Sequence, residues 1–178
     1  MADRITLDQL AKLVDSFEAS ARANFAQDGE IRPVTLLGAT RKPNGARERG
    51  LAAIPWDGTR CGKDELRDLQ QSAIENLEAD WICNIPECWA VFETDCSVDI
   101  DYPTMVKPSE HPERRELIQI RAECRDGVIS RTLIIERDAG GKGMLSPAIE
   151  QRLGAADAAV DAVGSRFAGY FTPPPVEA

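Results

Sequence analysis

The sequence predicts an α+β fold in which a mainly antiparallel sheet of about four strands carries three helices packed on one face. The strongest indication is Asp126-Gly127, a hairpin dipeptide that separates two runs of alternating apolar residues. Apolar residues also recur at helical spacing in three separate stretches of the chain. The resulting element order is helix, strand, helix, three strands and a helix, and consecutive strands of this kind favour antiparallel pairing.

The chain has 178 residues, of which 43% are hydrophobic and 29% charged. This length is near the size of one globular domain, so we expect a single α+β domain over residues 1–171. The proline-rich residues 172–178 cannot continue a helix and are expected to form a flexible tail. No apolar stretch approaches the ~20 residues of a membrane span, and residues 1–4 lack a signal peptide's basic and apolar start. These observations favour a cytoplasmic location.

The first helix and the two strands after it each have a local signal in the sequence. Thr6 and Gln9 form a capping box at the start of a helix that should end near Gly29. A first strand is expected over Ile31–Leu37, where Pro33 favours a sheet edge or restricts pairing to the second half. A second, short strand is expected within Leu51–Trp56.

The middle of the chain predicts a helix followed by a strand. The helix begins near Lys63 or Asp64, where acidic residues suit its N-terminal dipole. Its apolar stripe consists of Leu66, Leu69, Ala73, Ile74 and Leu77. Pro86 excludes helix at that point, and the alternation from Trp89 to Cys96 indicates a strand.

The C-terminal third predicts a hairpin and a final helix. The two hairpin strands are Leu117–Cys124 and Val128–Glu136. Ser146 as N-cap and Pro147 at the first helical position then predict a helix whose apolar positions extend to Phe167.

The charge of the chain is concentrated in one segment. The formal net charge is -9, and residues 61–103 hold 11 acidic side chains against Lys63 and Arg67. Such a surface repels nucleic acid and anionic lipid and attracts a basic partner, although a merely solvated helix face has the same composition. The candidate partner-binding residues are Asp64, Asp68, Glu75, Glu78 and Asp80.

A second group of acids has the spacing of a metal site. Glu93, Asp95, Asp99 and Asp101 occupy odd positions, so an extended chain would project all four to the same side. Their oxygens suit magnesium or calcium, and metal-dependent phosphodiester chemistry uses such clusters. His111 is a candidate acid or base nearby. The alternative is the solvent-facing end of a strand.

The five cysteines include Cys83, Cys88 and Cys96 in a C-x4-C-x7-C arrangement. A structural zinc site usually needs two short cysteine pairs, or one pair with two histidines, and this chain has one histidine. Buried or half-buried reduced thiols are therefore expected in preference to zinc ligands.

The segment from Trp89 through the turn Pro108-Ser109-Glu110-His111-Pro112-Glu113-Arg114-Arg115-Glu116 into the Gly127 hairpin resembles a diffuse group of small bacterial and phage proteins. These share a tryptophan-bearing strand, a P-S-x-H-P-x-R-x-E turn and a hairpin. The resemblance covers about a third of the chain. It implies an α+β fold and a prokaryotic or phage origin, and it brings no activity that could be transferred.

Three function classes remain after these observations. The first is a non-enzymatic accessory protein that binds a basic surface of a protein partner, in its sharpest form an inhibitor that mimics DNA. The second is a metal-dependent hydrolase or nuclease that uses the odd-position acids. The third is a phage structural or assembly component that forms a homo-oligomer.

Overall fold

The computed structural model of the chain describes residues 4–39, 50–56, 62–90, 110, 112–161 and 170–171. These residues form three helices and eight strands in an antiparallel sheet. The helices are α1 (Leu7–Asp28), α2 (Lys63–Leu77) and α3 (Ala155–Asp161). The strands are β1 (Val34–Ala39), β2 (Gly50–Pro55), β3 (Trp81–Ile85), β4 (Glu87–Ala90), β5 (Arg115–Cys124), β6 (Gly127–Arg137), β7 (Gly143–Leu145) and β8 (Ile149–Gly154).

The predicted α+β class with a mainly antiparallel sheet is confirmed, but the number of strands is not. The sheet runs in the order β2-β1-β3-β5-β6-β7, with β4 beside β5 and β8 beside β6. β3 and β4 lie end to end along β5, and Pro86 separates them. In the same way β7 and β8 lie end to end along β6, separated by residues 146–148. The prediction missed β3, whose five residues are all buried and therefore show no alternation.

The long β5–β6 hairpin forms as the Asp-Gly signal predicts. Its strands pair from Leu117 with Ile134 to Cys124 with Gly127, and a two-residue turn joins them. Gly127 has φ 146°, and a Cβ atom on it would lie 2.0 Å from the backbone oxygen of Leu153 in β8. The glycine is thus required both by the turn and by the close approach of the next strand.

The helices do not share one face of the sheet, which corrects that expectation. Alternate residues of β3 point in opposite directions, so Trp81 packs with the α1 core while Ile82 packs with Ile74 of α2. Trp81 also contacts Phe17 of α1, with ring centroids 5.7 Å apart. We call the two sides the α1 face and the α2 face.

The first helix and the first strand form where the sequence predicts them, but β1 is not at the edge of the sheet. The capping box of α1 is present, and Gly29 ends the helix in the left-handed conformation with φ 74°. β1 begins directly after Pro33 and pairs with both β2 and β3, so it is not an edge strand. The proline lies outside the paired residues and therefore costs no ladder hydrogen bond.

The predicted helix beginning at Ser146 is wrong in its first part. Residues Ile149–Gly154 form β8 along β6, and α3 begins only at Ala155. The four-residue spacing of Ile149 and Leu153 fits a strand as well as a helix. Residues four apart lie on the same side of a strand and on nearly the same side of a helix. Ser146 does not cap a helix, because its hydroxyl accepts a hydrogen bond from the Ile134 backbone N–H at 2.9 Å.

An ion-pair cluster on the α1 face joins α1 to β6 and β8. Arg131 donates hydrogen bonds to Asp15 at 2.7 Å, Glu18 at 2.9 Å and Glu150 at 2.6 Å. Burial opposes the charge of Arg131, but the bonds to Asp15, Glu150 and Glu18 outweigh it and raise the pKa of the guanidinium. The cluster therefore fixes the position of α1 against β6 and β8.

Replacing Gly127 with alanine tests the hairpin and β8 together. We expect Gly127→Ala to lower the free energy of unfolding by more than about 2 kcal/mol, because the new methyl overlaps the β8 backbone and φ becomes strained. Gly141→Ala is the matched control, since Gly141 also has positive φ but no atom lies within 4 Å of the position that a methyl would take. It should cost about 1 kcal/mol in the same urea titration. Equal losses for the two variants would contradict the packing of β8 against the turn.

Candidate functional site

The sequence predicts that five acidic residues in and just after α2 form one surface. The structure places three of them on α2 and two beyond its end. Asp64, Asp68 and Glu75 lie four and seven residues apart, which places them on one side of the helix, and all three are exposed. Arg67, the described cation of α2, is three residues after Asp64 and therefore lies next to this row, with its guanidinium carbon 5.3 Å from the ring centroid of Tyr170. We call Asp64, Asp68 and Glu75 the acidic stripe.

Glu78 and Asp80 lie beyond the end of α2. Glu78 caps the helix in the left-handed conformation with φ 47°, and its side chain is exposed. Asp80 is half-buried, and its backbone N–H donates to the Gly38 carbonyl at 2.9 Å. Both residues and Glu75 border a depression of about 430 Å³ that Arg4 and Arg125 also line. This depression therefore carries charges of both signs.

Two leucines on α2 are exposed although the sequence placed them in the buried stripe. Leu69 is 50% exposed and Leu77 is 42% exposed, whereas Leu66 and Ile74 are buried as predicted. The residue that takes the central buried position is Gln70, which is fully buried. Leu69 directly follows Asp68 in the helix, whereas Leu77 is nine residues from Asp68 and therefore lies on the opposite side of the helix from the acidic stripe.

The metal hypothesis falls on residues that the structure does not describe. Glu93, Asp95, Asp99 and Asp101, together with His111, all lie outside the described residues. Among the residues that are described, no group of three or more histidine, cysteine or acidic side chains could hold a metal ion. The proposed divalent-metal site stays a prediction.

The described cysteines fit the expectation of buried or half-buried side chains. Cys83 and Cys124 are buried free thiols, and Cys88 is half-buried, while Cys61 and Cys96 lie outside the described residues. Burial raises the pKa of the Cys83 and Cys124 thiols. Burial thus favours the protonated form of both thiols.

A buried polar cluster beneath α2 is the feature that sequence reasoning missed. Gln70 donates from its amide to the Thr35 hydroxyl at 2.6 Å and to the Asn84 side-chain oxygen at 2.9 Å. Thr35 in turn donates to the same Asn84 oxygen at 2.7 Å. All three side chains are less than 9% exposed. The signal in the sequence was a polar residue inside each of three apolar runs, where an unpaired polar group would be costly.

The residues at 170–171 complete this cluster from the far end of the chain. The Tyr170 hydroxyl donates to the Gln70 side-chain oxygen, and the Phe171 backbone N–H donates to Glu123 at 2.8 Å. Burial raises the pKa of Tyr170 to about 12, so the phenol remains a donor at neutral pH. The polar groups of α2, β1, β3 and the C-terminal segment thus form one connected set.

A pair of neighbouring carboxyl groups, Glu87 and Glu116, lies at the exposed end of the α1 face. Glu87 accepts a hydrogen bond from the Ile31 backbone N–H at 3.1 Å, and Arg137 binds both oxygens of Glu116 at 2.6 and 2.8 Å. Burial and the adjacent Glu116 raise the pKa of Glu87, whereas the hydrogen bond from Arg137 lowers the pKa of Glu116. One carboxyl is thereby favoured as an acid and its neighbour as a base.

The three tryptophans have different environments. Trp81 is buried in the core, Trp56 is half-buried, and Trp89 is 42% exposed. The guanidinium carbon of Arg114 lies 5.0 Å from the Trp89 ring centroid. Trp81 is therefore part of the core, whereas the Trp89 ring lies against a guanidinium near solvent.

Comparison with known proteins assigns no family to this chain. No protein-family model matches the sequence, and no curated protein or solved structure matches it either. Within the described part of the chain, no helix is both long enough and apolar enough to cross a membrane.

Replacing the buried glutamine tests the polar cluster. We expect Gln70→Leu to lower the free energy of unfolding by about 2 kcal/mol, because Thr35, Asn84 and Tyr170 each lose a buried hydrogen-bond partner. The neighbouring Gln71→Leu is the control, since Gln71 is exposed, and it should change stability by less than about 0.5 kcal/mol. Chemical denaturation measures both. A Gln70→Leu protein as stable as wild type would refute the cluster.

The carboxylate pair predicts pH effects of opposite sign. The raised pKa of Glu87 means that its contribution to stability is full at low pH and is lost as pH rises through the folded pKa. Glu87→Gln, which imitates the protonated acid, should therefore raise Tm by about 1–2 °C at pH 7 and by less at pH 4.

Glu116 provides the opposite case. Its lowered pKa means that its contribution is present at neutral pH and is lost as pH falls through the folded pKa. Glu116→Gln should lower Tm at pH 7, and the loss should shrink in acid. Thermal unfolding followed by circular dichroism measures both variants, and shifts that do not depend on pH would contradict the pairing.

Proposed function

We propose that the protein is a non-enzymatic accessory protein that binds a basic surface of a protein partner through the outer face of α2. The observation that carries this proposal is the acidic stripe, three exposed carboxylates in line on one side of a helix. The excess of acidic residues in the segment that contains α2 supplies the field that would attract such a partner.

One exposed leucine extends the proposal beyond charge. Leu69 directly follows Asp68 in α2 and supplies an apolar contact next to the acidic stripe, of the kind that a specific interface needs. Rim carboxylates alone would mainly accelerate association and contribute little to affinity. The partner surface is therefore expected to present lysine or arginine residues around an apolar patch.

A DNA-mimicking inhibitor is the sharpest form of this function. Carboxylates of Asp64 and Asp68 are separated by about 6 Å along the helix axis, given a rise of about 1.5 Å per residue. Asp68 and Glu75 are separated by about 10 Å along the axis, and such a row of negative groups suits a groove that normally holds a nucleic-acid backbone. Such a partner would lose its nucleic acid when it binds this protein.

Charge reversal on the outer face of α2 tests the proposal. We expect the triple variant Asp64→Lys, Asp68→Lys, Glu75→Lys to lose at least 10-fold in affinity for a partner captured by the wild-type protein, because like charges would then face each other. The wild-type affinity should also fall as salt rises. Biolayer interferometry with the purified partner at two salt concentrations measures both effects.

The control carries the same change in net charge on other elements. Asp28→Lys, Glu30→Lys, Glu136→Lys replaces three exposed acids outside α2, and this variant should bind the partner nearly as well as wild type. Equal losses in both triple variants would show that only the net charge matters. Unchanged binding by the α2 variant would overturn the assignment to this face.

A further inference from the structure

Strand β8 (Ile149–Gly154) has one edge that pairs with no other strand among the described residues. Its other edge pairs with β6, and most of its side chains are exposed. An open strand edge is a template for further pairing, which many proteins block with lysine, proline or a bulge. β8 contains no proline, and its two charged residues, Glu150 and Arg152, have opposite signs. This edge therefore suits another strand that offers complementary charges.

The hydrogen bonds of β6 determine which backbone groups of β8 face the open edge. Ile134 donates its backbone N–H to the Ser146 hydroxyl at 2.9 Å, and its carbonyl accepts from the Ser146 backbone N–H at 2.9 Å. Even-numbered residues of β6 therefore direct their backbone groups toward β7 and β8, because these directions alternate along a strand. They are paired with the odd-numbered residues of β8. Glu150 and Arg152 consequently direct their N–H and C=O groups toward the open edge.

The sequence of β8 is complementary to itself when two copies of the strand run antiparallel. With a two-fold axis at Gln151, Glu150 of each copy lies opposite Arg152 of the other, and Ile149 lies opposite Leu153. Moving the axis by one residue in either direction would place Glu150 or Arg152 opposite its own equivalent. Like charges directly opposite each other are destabilising, so charge selects a single register.

Both faces of β8 would gain contacts in this pairing. Glu150 is paired with Arg131 and accepts a hydrogen bond from it, so Glu150 and Arg152 project on the α1 face. Arg152 donates from Nε to Glu150 of its own chain at 2.7 Å. A guanidinium carries further N–H donors, so it can also bind the carboxylate of a second copy. On the other face, Ile149 is 57% exposed and would be covered by Leu153 of that copy.

We propose that β8 is a self-association surface at which two copies of this chain join their sheets into one continuous antiparallel sheet. Main-chain hydrogen bonds at Glu150 and Arg152 hold the two strands together, and the contacts between these side chains set the register. β2, at the opposite end of the sheet, has no charged residue in Gly50–Pro55 and offers no such selection. Because the paired segment is short, the association is weak and depends on concentration.

Sedimentation of the full-length protein tests the pairing. We expect a monomer–dimer equilibrium between about 1 µM and about 1 mM, a range that covers weak and moderate affinities. Arg152→Glu should weaken the dimer by about 10-fold or more, because carboxylates then face each other at both symmetric contacts. Arg32→Glu is the matched control, since Arg32 is exposed just before β1, far from β8 in the strand order. It should leave the equilibrium unchanged.

Two further changes at Arg152 separate the main-chain contribution from the charge. Arg152→Ala and Arg152→Pro both remove the guanidinium, but only proline also removes the N–H that faces the open edge. That N–H makes no bond to β6, so β8 should keep its place in the sheet. Arg152→Pro should therefore weaken the dimer about 10-fold more than Arg152→Ala does. Equal losses would overturn the strand pairing.

A mixture of two variants tests the register. Glu150→Lys and Arg152→Glu should each fail to self-associate, whereas a mixture of the two should form a heterodimer, because opposite charges then meet again at both contacts. Arg131 keeps Asp15 and Glu18 as partners in Glu150→Lys, so this variant should still fold. A mixture that stays monomeric, although wild type dimerises, would overturn the inference. If Glu150→Lys does not fold, the three variants at Arg152 still decide the question.

The outcomes separate this surface from the docking surface on α2. α2 packs against β1, and β3, β5 and β6 lie between β1 and β8. The Asp64→Lys, Asp68→Lys, Glu75→Lys protein should therefore still dimerise, and Arg152→Glu should bind the basic partner as wild type does. A monomer at every concentration, or equal losses from Arg152→Glu and Arg32→Glu, would overturn the inference and leave the α2 proposal untouched.

Discussion

The β5–β6 hairpin is the element on which the rest of the structure depends. β3 and β4 pair along the outer edge of β5, while β8 and β7 pair along the outer edge of β6. Its turn leaves no room for a side chain at Gly127, because the β8 backbone passes directly against it. A slip of one residue in this register would move every side chain of the shifted strand to the opposite face.

Because helices cover both faces of this sheet, polar residues within it must find partners inside the protein. Thr35, Asn84 and Gln70 do so through mutual hydrogen bonds, and Tyr170 contributes another from the end of the chain. A buried hydrogen bond adds little net stability, but an unmade one is expensive. The cluster therefore selects one position of α2 on the sheet more than it strengthens the fold.

The two sides of α2 differ in charge and in burial. Its outer side carries the acidic stripe, and its inner side covers a cavity that Arg121 lines. Leu66 is buried on the inner side of α2 and also lines the cavity.

Local sequence patterns by themselves determined the elements whose signals involve neighbouring residues. The capping box of α1, the start of α2 at Lys63 and the Asp-Gly hairpin all form as predicted, because each depends on contacts within a few residues. The acidic residues of α2 were also recognisable from composition. Only tertiary structure decided that Asp80 is half-buried beyond the end of α2, with its backbone N–H bonded to Gly38.

Tertiary structure also decided the features that depend on partners far along the chain. Ile149–Gly154 became a strand because β6 offered an edge to pair with, and β3 was hidden because burial on both faces removes alternation. Thr35, Asn84 and Arg121 are brought together by the strand register, and the packing of α2 on the sheet adds Gln70. Sequence patterns thus determined local conformation, whereas long-range pairing determined the sheet and the cavity.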